Sequence, residues 1–146
     1  MTFSKAHQIL HSYKLFLVFT WFTRILLALA FLPSGLKKAM GLRFTTLNIS
    51  DPVGFFFEAL YRTGMYWNFL GIMQLLSAAL LLIPRTATLG ALLYFPIAVN
   101  ILVIVTAMHF TGTPVVAGLM LLANLYLLLW DYPKFKKIAA VIFSKS

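Results

Sequence analysis

The sequence has no cysteine and very few acidic residues. Without cysteine, the polypeptide has no thiolate metal site, no structural disulfide and no thiol–disulfide exchange of its own. Its three acids, Asp51, Glu58 and Asp131, are set against twelve lysine and arginine residues, which gives a formal net charge of +9. Charged residues make up only 10% of the chain, whereas a typical soluble domain has about 25%. These shortages argue against a soluble globular protein.

Apolar residues dominate the chain instead. They make up 62% of the 146 residues, and the mean hydropathy is +0.93. About 20 apolar residues are needed to cross a bilayer as a helix, and four segments approach or exceed that length, at about 15–36, 66–83, 88–110 and 115–130. Short connections after the second and third segments make sequential helices antiparallel neighbours. The sequence therefore predicts an all-α fold, an integral membrane four-helix bundle, formed as one transmembrane domain over residues 1–146.

The connection between the first and second spans, residues 37 to 65, is the only long one. It carries four basic residues and also the apolar run 53–57. Asp51 followed by Pro52 is a typical helix start. We expect a partly ordered interfacial or re-entrant segment, with the three phenylalanines of 55–57 at the depth of the lipid headgroups.

The basic residues flank the apolar runs, which indicates contact with anionic lipid headgroups of the bilayer and not with nucleic acid. Four spans place both termini on one side. That side would carry seven basic residues and the other side four: Lys5, Lys14, Arg85, Lys134, Lys136, Lys137 and Lys145 against Lys37, Lys38, Arg43 and Arg62. The excess predicts a multi-pass protein of the cytoplasmic (inner) membrane with both termini cytoplasmic. A cleaved signal peptide ending near residues 28–30 is an alternative, but Arg24 would interrupt its apolar core.

Arg24 lies inside the first predicted span. An arginine near the middle of a span costs roughly 2.5–3.5 kcal/mol and must find a partner or water. It either forms an interhelical ion pair or lines a pocket, where it would bind an anionic or carbonyl-bearing ligand. Its partner is open, because Asp131 is expected near the other end of the antiparallel arrangement, and Asp51 and Glu58 would reach it only from a segment that dips inward.

Further polar residues follow in the second and third spans. A stripe at helical spacing, formed by Gly64, Trp67, Gly71, Gln74 and Ala78, favours close helix packing. Pro96 should kink the third span. Nine residues separate Asn100 from His109, which points them in nearly opposite directions along a straight helix. Side chains of the three spans could also complete a polar pocket, and its candidate residues are Arg24, Trp67, Asn68, Gln74, Asn100 and His109.

Motifs for self-sufficient chemistry are missing from the sequence. His7 and His11 are four residues apart on one helical face, but without a third ligand they do not predict a metal site. The sequence has no HExxH pattern, P-loop, dinucleotide fingerprint or nucleophile elbow. The catalytic residues, and whether the chain is an enzyme, stay open.

The exit of the first span resembles the signature of the DoxX-like family of small four-helix membrane proteins. The pattern R-x₃-G-x₂-F-x₂-SG-x₂-K is matched at five positions, Arg24, Phe31, Ser34, Gly35 and Lys38, although Ala28 stands where the pattern has glycine. Asp131, which closes the fourth span, also fits. Family members commonly carry a glutamate in the second span, where this chain has Gln74.

The resemblance implies a role in a redox system of the membrane. Some members of that family are subunits of a thiosulfate:quinone oxidoreductase, and others are accessory to membrane oxidoreductases. It therefore implies a subunit or accessory of a quinone-linked redox system, with a quinone as cofactor and a membrane redox protein as partner. A second copy of the chain is another candidate partner. The alternatives are a non-catalytic scaffold and a small transporter, although the chain shows neither an inverted repeat nor an intramembrane acid.

Overall fold

The structure is a computed structural model that describes residues 3–144 of the chain. Within these residues the regular secondary structure is entirely helical. The seven helices are α1 (Phe3–Ser12), α2 (Lys14–Ala39), α3 (Pro52–Arg62), α4 (Met65–Leu82), α5 (Ala87–Ala107), α6 (Thr113–Trp130) and α7 (Tyr132–Ile142).

Four of these helices, α2, α4, α5 and α6, are long and apolar enough to cross a membrane. They confirm the four predicted spans and make the chain a multi-pass membrane protein. Two boundaries differ from the prediction. Helix α2 continues to Ala39, so Lys38 belongs to its last turn, and α5 ends at Ala107 and not at Phe110.

The four spanning helices pack as a ring. Helix α2 packs most extensively against α4, which packs against α5, which packs against α6, and contacts between α2 and α6 close the ring. Nine buried apolar residues form the core between them: Leu27, Ala28, Phe31, Ala78, Leu81, Ala91, Tyr94, Ala98 and Leu127. Only 22–33% of the residues in each span are buried in the protein. The remaining apolar surface faces outward, as expected of helices in contact with lipid.

Gly71 allows the backbones of α2 and α4 to come into contact, because it has no side chain. A Cβ atom at this position would lie 2.2 Å from the backbone nitrogen of Ala39 and 2.6 Å from the carbonyl oxygen of Gly35. The predicted packing stripe is thus confirmed from Trp67 to Ala78, all buried on α4. Gly64 does not belong to it, because it precedes α4 with a φ of 61°.

Two spans end in the same type of cap. After α2, Gly41 has a φ of 67° and donates to the carbonyl of Lys38, while Leu42 donates to Lys37. After α5, His109 takes the corresponding position with a φ of 55° and donates to Thr106. These are Schellman caps, which satisfy the last free carbonyls of a helix. His109 therefore lies exposed in a turn and not in the third span, where it was expected.

The long connection folds into α3 as predicted. The carboxylate of Asp51 accepts hydrogen bonds from the backbone of Val53 at 2.8 Å and of Gly54 at 3.3 Å. Pro52 occupies the first turn, where its missing N–H costs nothing. Glu58 then accepts from Arg43 and Arg62, at 2.9 Å each, which ties α3 to the preceding loop.

At the other end of the bundle, α1 is held against the end of α6. The carbonyl of Trp130 can only accept hydrogen bonds, and His7 and His11 donate to it at 2.8 and 3.1 Å. The ring of His11 also stacks on that of Trp130, with 3.7 Å between centroids. The two histidines thus hold α1 in place. Lys145, which was included in the charge count, lies outside the described residues.

We expect Gly71→Ala to destabilise the protein by about 1–3 kcal/mol, because the added methyl group meets backbone atoms that cannot move aside. Gly118→Ala is the matched control, since a Cβ at this helical glycine meets nothing within 4 Å. Thermal unfolding in detergent should show a lower midpoint for the first variant only. Equal midpoints would contradict the close contact of α2 and α4.

Candidate functional site

A cavity of about 250 Å³ lies between the four spans at the end of the bundle that α3 covers. Its wall is mainly apolar and aromatic, with a few polar groups, which is the usual composition of a small-molecule site. The polar side chains in its lining are Ser34, Lys38, Gln74, Asn100 and Thr113.

Three phenylalanines form the roof of this cavity. Phe44 comes from the loop, and Phe56 and Phe57 come from α3. The rings of Phe44 and Phe57 are in contact, with centroids 4.6 Å apart. Both rings also line a second, smaller cavity of about 170 Å³ that contains Arg43 and Glu58. The two rings therefore separate the cavity inside the bundle from a polar one in the loop.

Lys38 is the most unusual residue of the site. Its side-chain nitrogen donates to Oε1 of Gln74 at 3.0 Å and also to Oγ of Ser34. The same nitrogen lies 5.1 Å from the ring centroid of Phe44 and 5.4 Å from that of Trp67. Within residues 3–144 it forms no ion pair with a carboxylate. This buried cation is thus held only by neutral dipoles and by the faces of aromatic rings.

The spacing along α2 brings this group together. Phe31, Ser34 and Lys38 are three and four residues apart, so they share one face of the helix. The cap after α2 then presents the carbonyl of Leu42 to the indole nitrogen of Trp67, at 2.9 Å. Asn68 donates to the carbonyl of Ala39 at 3.3 Å. These two bonds fasten the end of α2 to the start of α4, below the roof.

The structure divides the predicted pocket residues into groups. Gln74 and Asn100 line the cavity. Trp67 and Asn68 lie outside its lining, where they hold the end of α2, and His109 is in the exposed turn after α5. Arg24 belongs to a different cluster at the other end of the bundle.

That cluster is centred on Asp131. Arg24 lies 3.6 Å from this carboxylate, and the two side chains are only 9% and 10% exposed. Thr88 donates to the same carboxylate at 3.0 Å, and Lys134 lies 3.7 Å from it. The expectation that Asp131 would lie too far from Arg24 was wrong. Helix α2 has 26 residues and α6 only 18, so the end of α6 lies level with an inner turn of α2.

The residues of the family pattern fall into the same two places. Arg24 and Asp131 pair with one another at one end. Phe31, Ser34 and Lys38 line the cavity at the other, and Gly35 faces Gln74 and Leu75 of α4. From the sequence, Lys38 was counted among the basic residues of the first connection and matched to this pattern, but it was not placed in the pocket, because the first span was predicted to end at Leu36. Continuing the face of Phe31 and Ser34 by one turn would have found it.

Comparison with curated proteins finds one match, the uncharacterized protein YwoB of Bacillus subtilis. The two sequences are 35% identical over 121 residues, which cover 79% of this chain and 78% of the relative. No family model matches the chain, and no solved structure matches it.

We expect Asp131→Asn to destabilise the protein by about 3–5 kcal/mol, because it leaves the buried guanidinium of Arg24 without a counter-charge. Thermal unfolding in detergent measures the loss. Replacing both partners, as Arg24→Met with Asp131→Leu, should recover much of it. Asp51→Asn is the control, because it removes an exposed carboxylate but keeps a good helix cap. If Asp131→Asn were as stable as this control, the ion pair would have no structural role.

Hydrogen bonds from Arg43 and Arg62 hold the pKa of Glu58 at about 2, below its ordinary value of 4.5. A carboxyl group whose pKa is lowered by folding stabilises the folded protein at pH values above its ordinary pKa. This contribution is lost progressively as the pH falls from the ordinary pKa through about 2. Hydrogen exchange in α3, corrected for intrinsic rates, should therefore stay slow from neutral pH down to about pH 4. Glu58→Gln should exchange faster over that whole range. Below about pH 4 the exchange rate of the wild type should rise towards that of the variant, because the contribution of Glu58 is lost progressively down to about pH 2. Equal exchange rates of the two proteins at neutral pH would contradict the assignment.

Proposed function

The chain belongs to the family of the uncharacterized protein YwoB, and we propose that it binds a membrane-soluble carbonyl compound in the cavity around Lys38. By the DoxX-like resemblance this compound is a quinone, and the protein serves as a subunit or accessory of a membrane redox system. The observation that carries the proposal is the buried lysine, which faces an apolar cavity and is held by Ser34 and Gln74.

The lining suits a molecule with an apolar body and one or two oxygen acceptors. A flat ring would lie among the aromatic and branched side chains of the wall, such as Phe31, Phe57 and Ile101. A carbonyl oxygen of that ring would accept a hydrogen bond from Lys38. Hydrogen bonds from a charged donor are roughly twice as strong as neutral ones, so this bond would orient the ligand.

The proposed role is an accessory one, because the chain brings few redox groups of its own. It has no cysteine, and no group of three His, Asp or Glu side chains within residues 3–144 is arranged to hold a metal ion. Electrons would enter and leave through the quinone and a partner protein in the membrane. Lys38 and its neighbours would bind and orient the quinone, and the aromatic roof would exclude water from it.

We also propose that both termini are cytoplasmic, in the inner membrane. The larger number of basic residues on the terminal side supports this orientation. The cavity would then lie in the outer half of the bilayer, because α3 and the cap after α2 are at the end of the bundle away from the termini.

The test is purification in mild detergent, followed by mass spectrometry of the organic ligand that remains bound. We compare the wild type with Lys38→Met and with Lys37→Met, which removes an exposed lysine of the same turn. Near-stoichiometric quinone is expected in the wild type and in the control. Loss of a charge-assisted hydrogen bond should lower retention in Lys38→Met about tenfold.

Thermal unfolding of the same samples shows whether Lys38→Met is folded. A folded variant that keeps its quinone would contradict the assigned site. If the wild type and the control carry no quinone and do not take up an added short-chain quinone, the proposal is wrong. The non-catalytic scaffold would then be the better interpretation.

A further inference from the structure

We infer that this cavity selects ligands with an anionic head group over neutral ligands of the same shape. The inference rests on the proposed function in one respect, that a ligand places an oxygen atom at Lys38 in this cavity. It adds that a charged oxygen is favoured there over a neutral carbonyl such as that of a quinone. It follows from the charges of the lining and from a comparison with Arg24, the other buried cation of α2, which has a carboxylate partner.

The lining of the cavity carries one positive charge, and it contains no negative charge to balance it. Its nineteen residues include one lysine and no acidic residue. The nearest acidic side chain along the roof, Glu58, belongs to the adjoining cavity and already pairs with Arg43 and Arg62. A neutral ligand would leave the charge of Lys38 as it is, whereas an anionic head group would neutralise it.

The other buried cation of the bundle shows the contrast. Arg24 is as buried as Lys38, and it has the carboxylate of Asp131 at 3.6 Å. Lys38 has only an amide oxygen, a hydroxyl and two ring faces. Its place in the last turn of α2 adds the weak attraction of the helix dipole. A buried charge is costly unless it is paired, so the strongest available partner is a negative charge on the ligand.

The size and openings of the cavity indicate a ligand with a single chain. Its volume, about 250 Å³, falls below the range of roughly 300–1,000 Å³ typical of drug-sized ligands. Three of its lining residues, Ala30, Asn100 and Thr113, are exposed on the outer surface of the bundle. A head group can therefore lie at Lys38 while an apolar tail leaves between the helices into the lipid.

Gln74→Glu is a sharp test, because it keeps the size of the side chain and places a carboxylate 3.0 Å from the lysine nitrogen. The variant supplies within the protein the negative charge that we assign to the ligand. The preference for anions should disappear, while the cavity and its apolar contacts stay the same. Lys37→Met is again the control, as it changes the net charge of this turn at an exposed position.

The experiment uses the full chain in nanodiscs of zwitterionic lipid, with brominated dodecanoic acid and its methyl ester as probes. Bromine quenches tryptophan fluorescence, and Trp67 lies beside Lys38. All proteins carry Trp21→Phe and Trp130→Phe, so that Trp67 is the only tryptophan of the chain. The acid and the ester partition differently into lipid, but this difference is the same for every variant. The ratio of their affinities in the wild type, divided by the ratio in Gln74→Glu, therefore isolates the effect of the site.

We expect the acid to be favoured about tenfold in the wild type and in Lys37→Met, relative to Gln74→Glu. Equal ratios in all three proteins would overturn the inference, even if a quinone is retained and the proposed function stands. Quenching by neither probe would overturn it too, since the cavity then takes no such amphiphile. Phosphatidylglycerol as competitor separates two sources of the anion. Displacement of the acid points to a phospholipid headgroup, and no displacement points to a free carboxylate.

Discussion

The cost of burying a positive charge in a membrane governs the arrangement of this protein. Helix α2 carries two buried cations, Arg24 and Lys38, fourteen residues and so about 21 Å apart along its axis. The first is neutralised by Asp131, whereas the second has only neutral acceptors and ring faces. One buried cation of α2 is therefore paired with a carboxylate and the other is not. This difference separates the structural end of the bundle, at Asp131, from the end that holds the cavity.

The structural end shows how much a single carboxylate can organise. Asp131 receives a hydrogen bond from Thr88 on α5, pairs with Arg24 on α2 and lies near Lys134 on α7. It also sits at the junction of α6 and α7, so one side chain connects four helices. Removing either partner of such a buried pair costs far more than the pair itself contributes to stability.

Hydropathy alone predicted the four spans, because a chain with so few charges can bury its apolar surface only in lipid. The start of α3 was also predictable, since Asp51 and Pro52 act locally. The partner of Arg24 was not, because it depends on the relative lengths of α2 and α6. Nor was the position of Lys38 recognised, since the helix end was placed too early. The two errors differ in origin: the end of α2 was placed three residues too early, whereas the start of α2 and the end of α6 were placed within one residue and only the offset between the two helices was missed.

The cavity exists because the end of α2 is fixed precisely. Gly71 lets the backbones of α2 and α4 touch, and Trp67 binds the carbonyl that the cap after α2 presents. If α2 frayed at its last turn, Lys38 could extend to the membrane surface and be hydrated, as lysines near helix ends usually are. The cap and the aromatic roof prevent this and keep the charge inside. Rigid packing against α4 thus holds Lys38, a charge without a carboxylate partner, at the wall of the cavity, which is the arrangement that the proposed binding of an oxygen-bearing ligand needs.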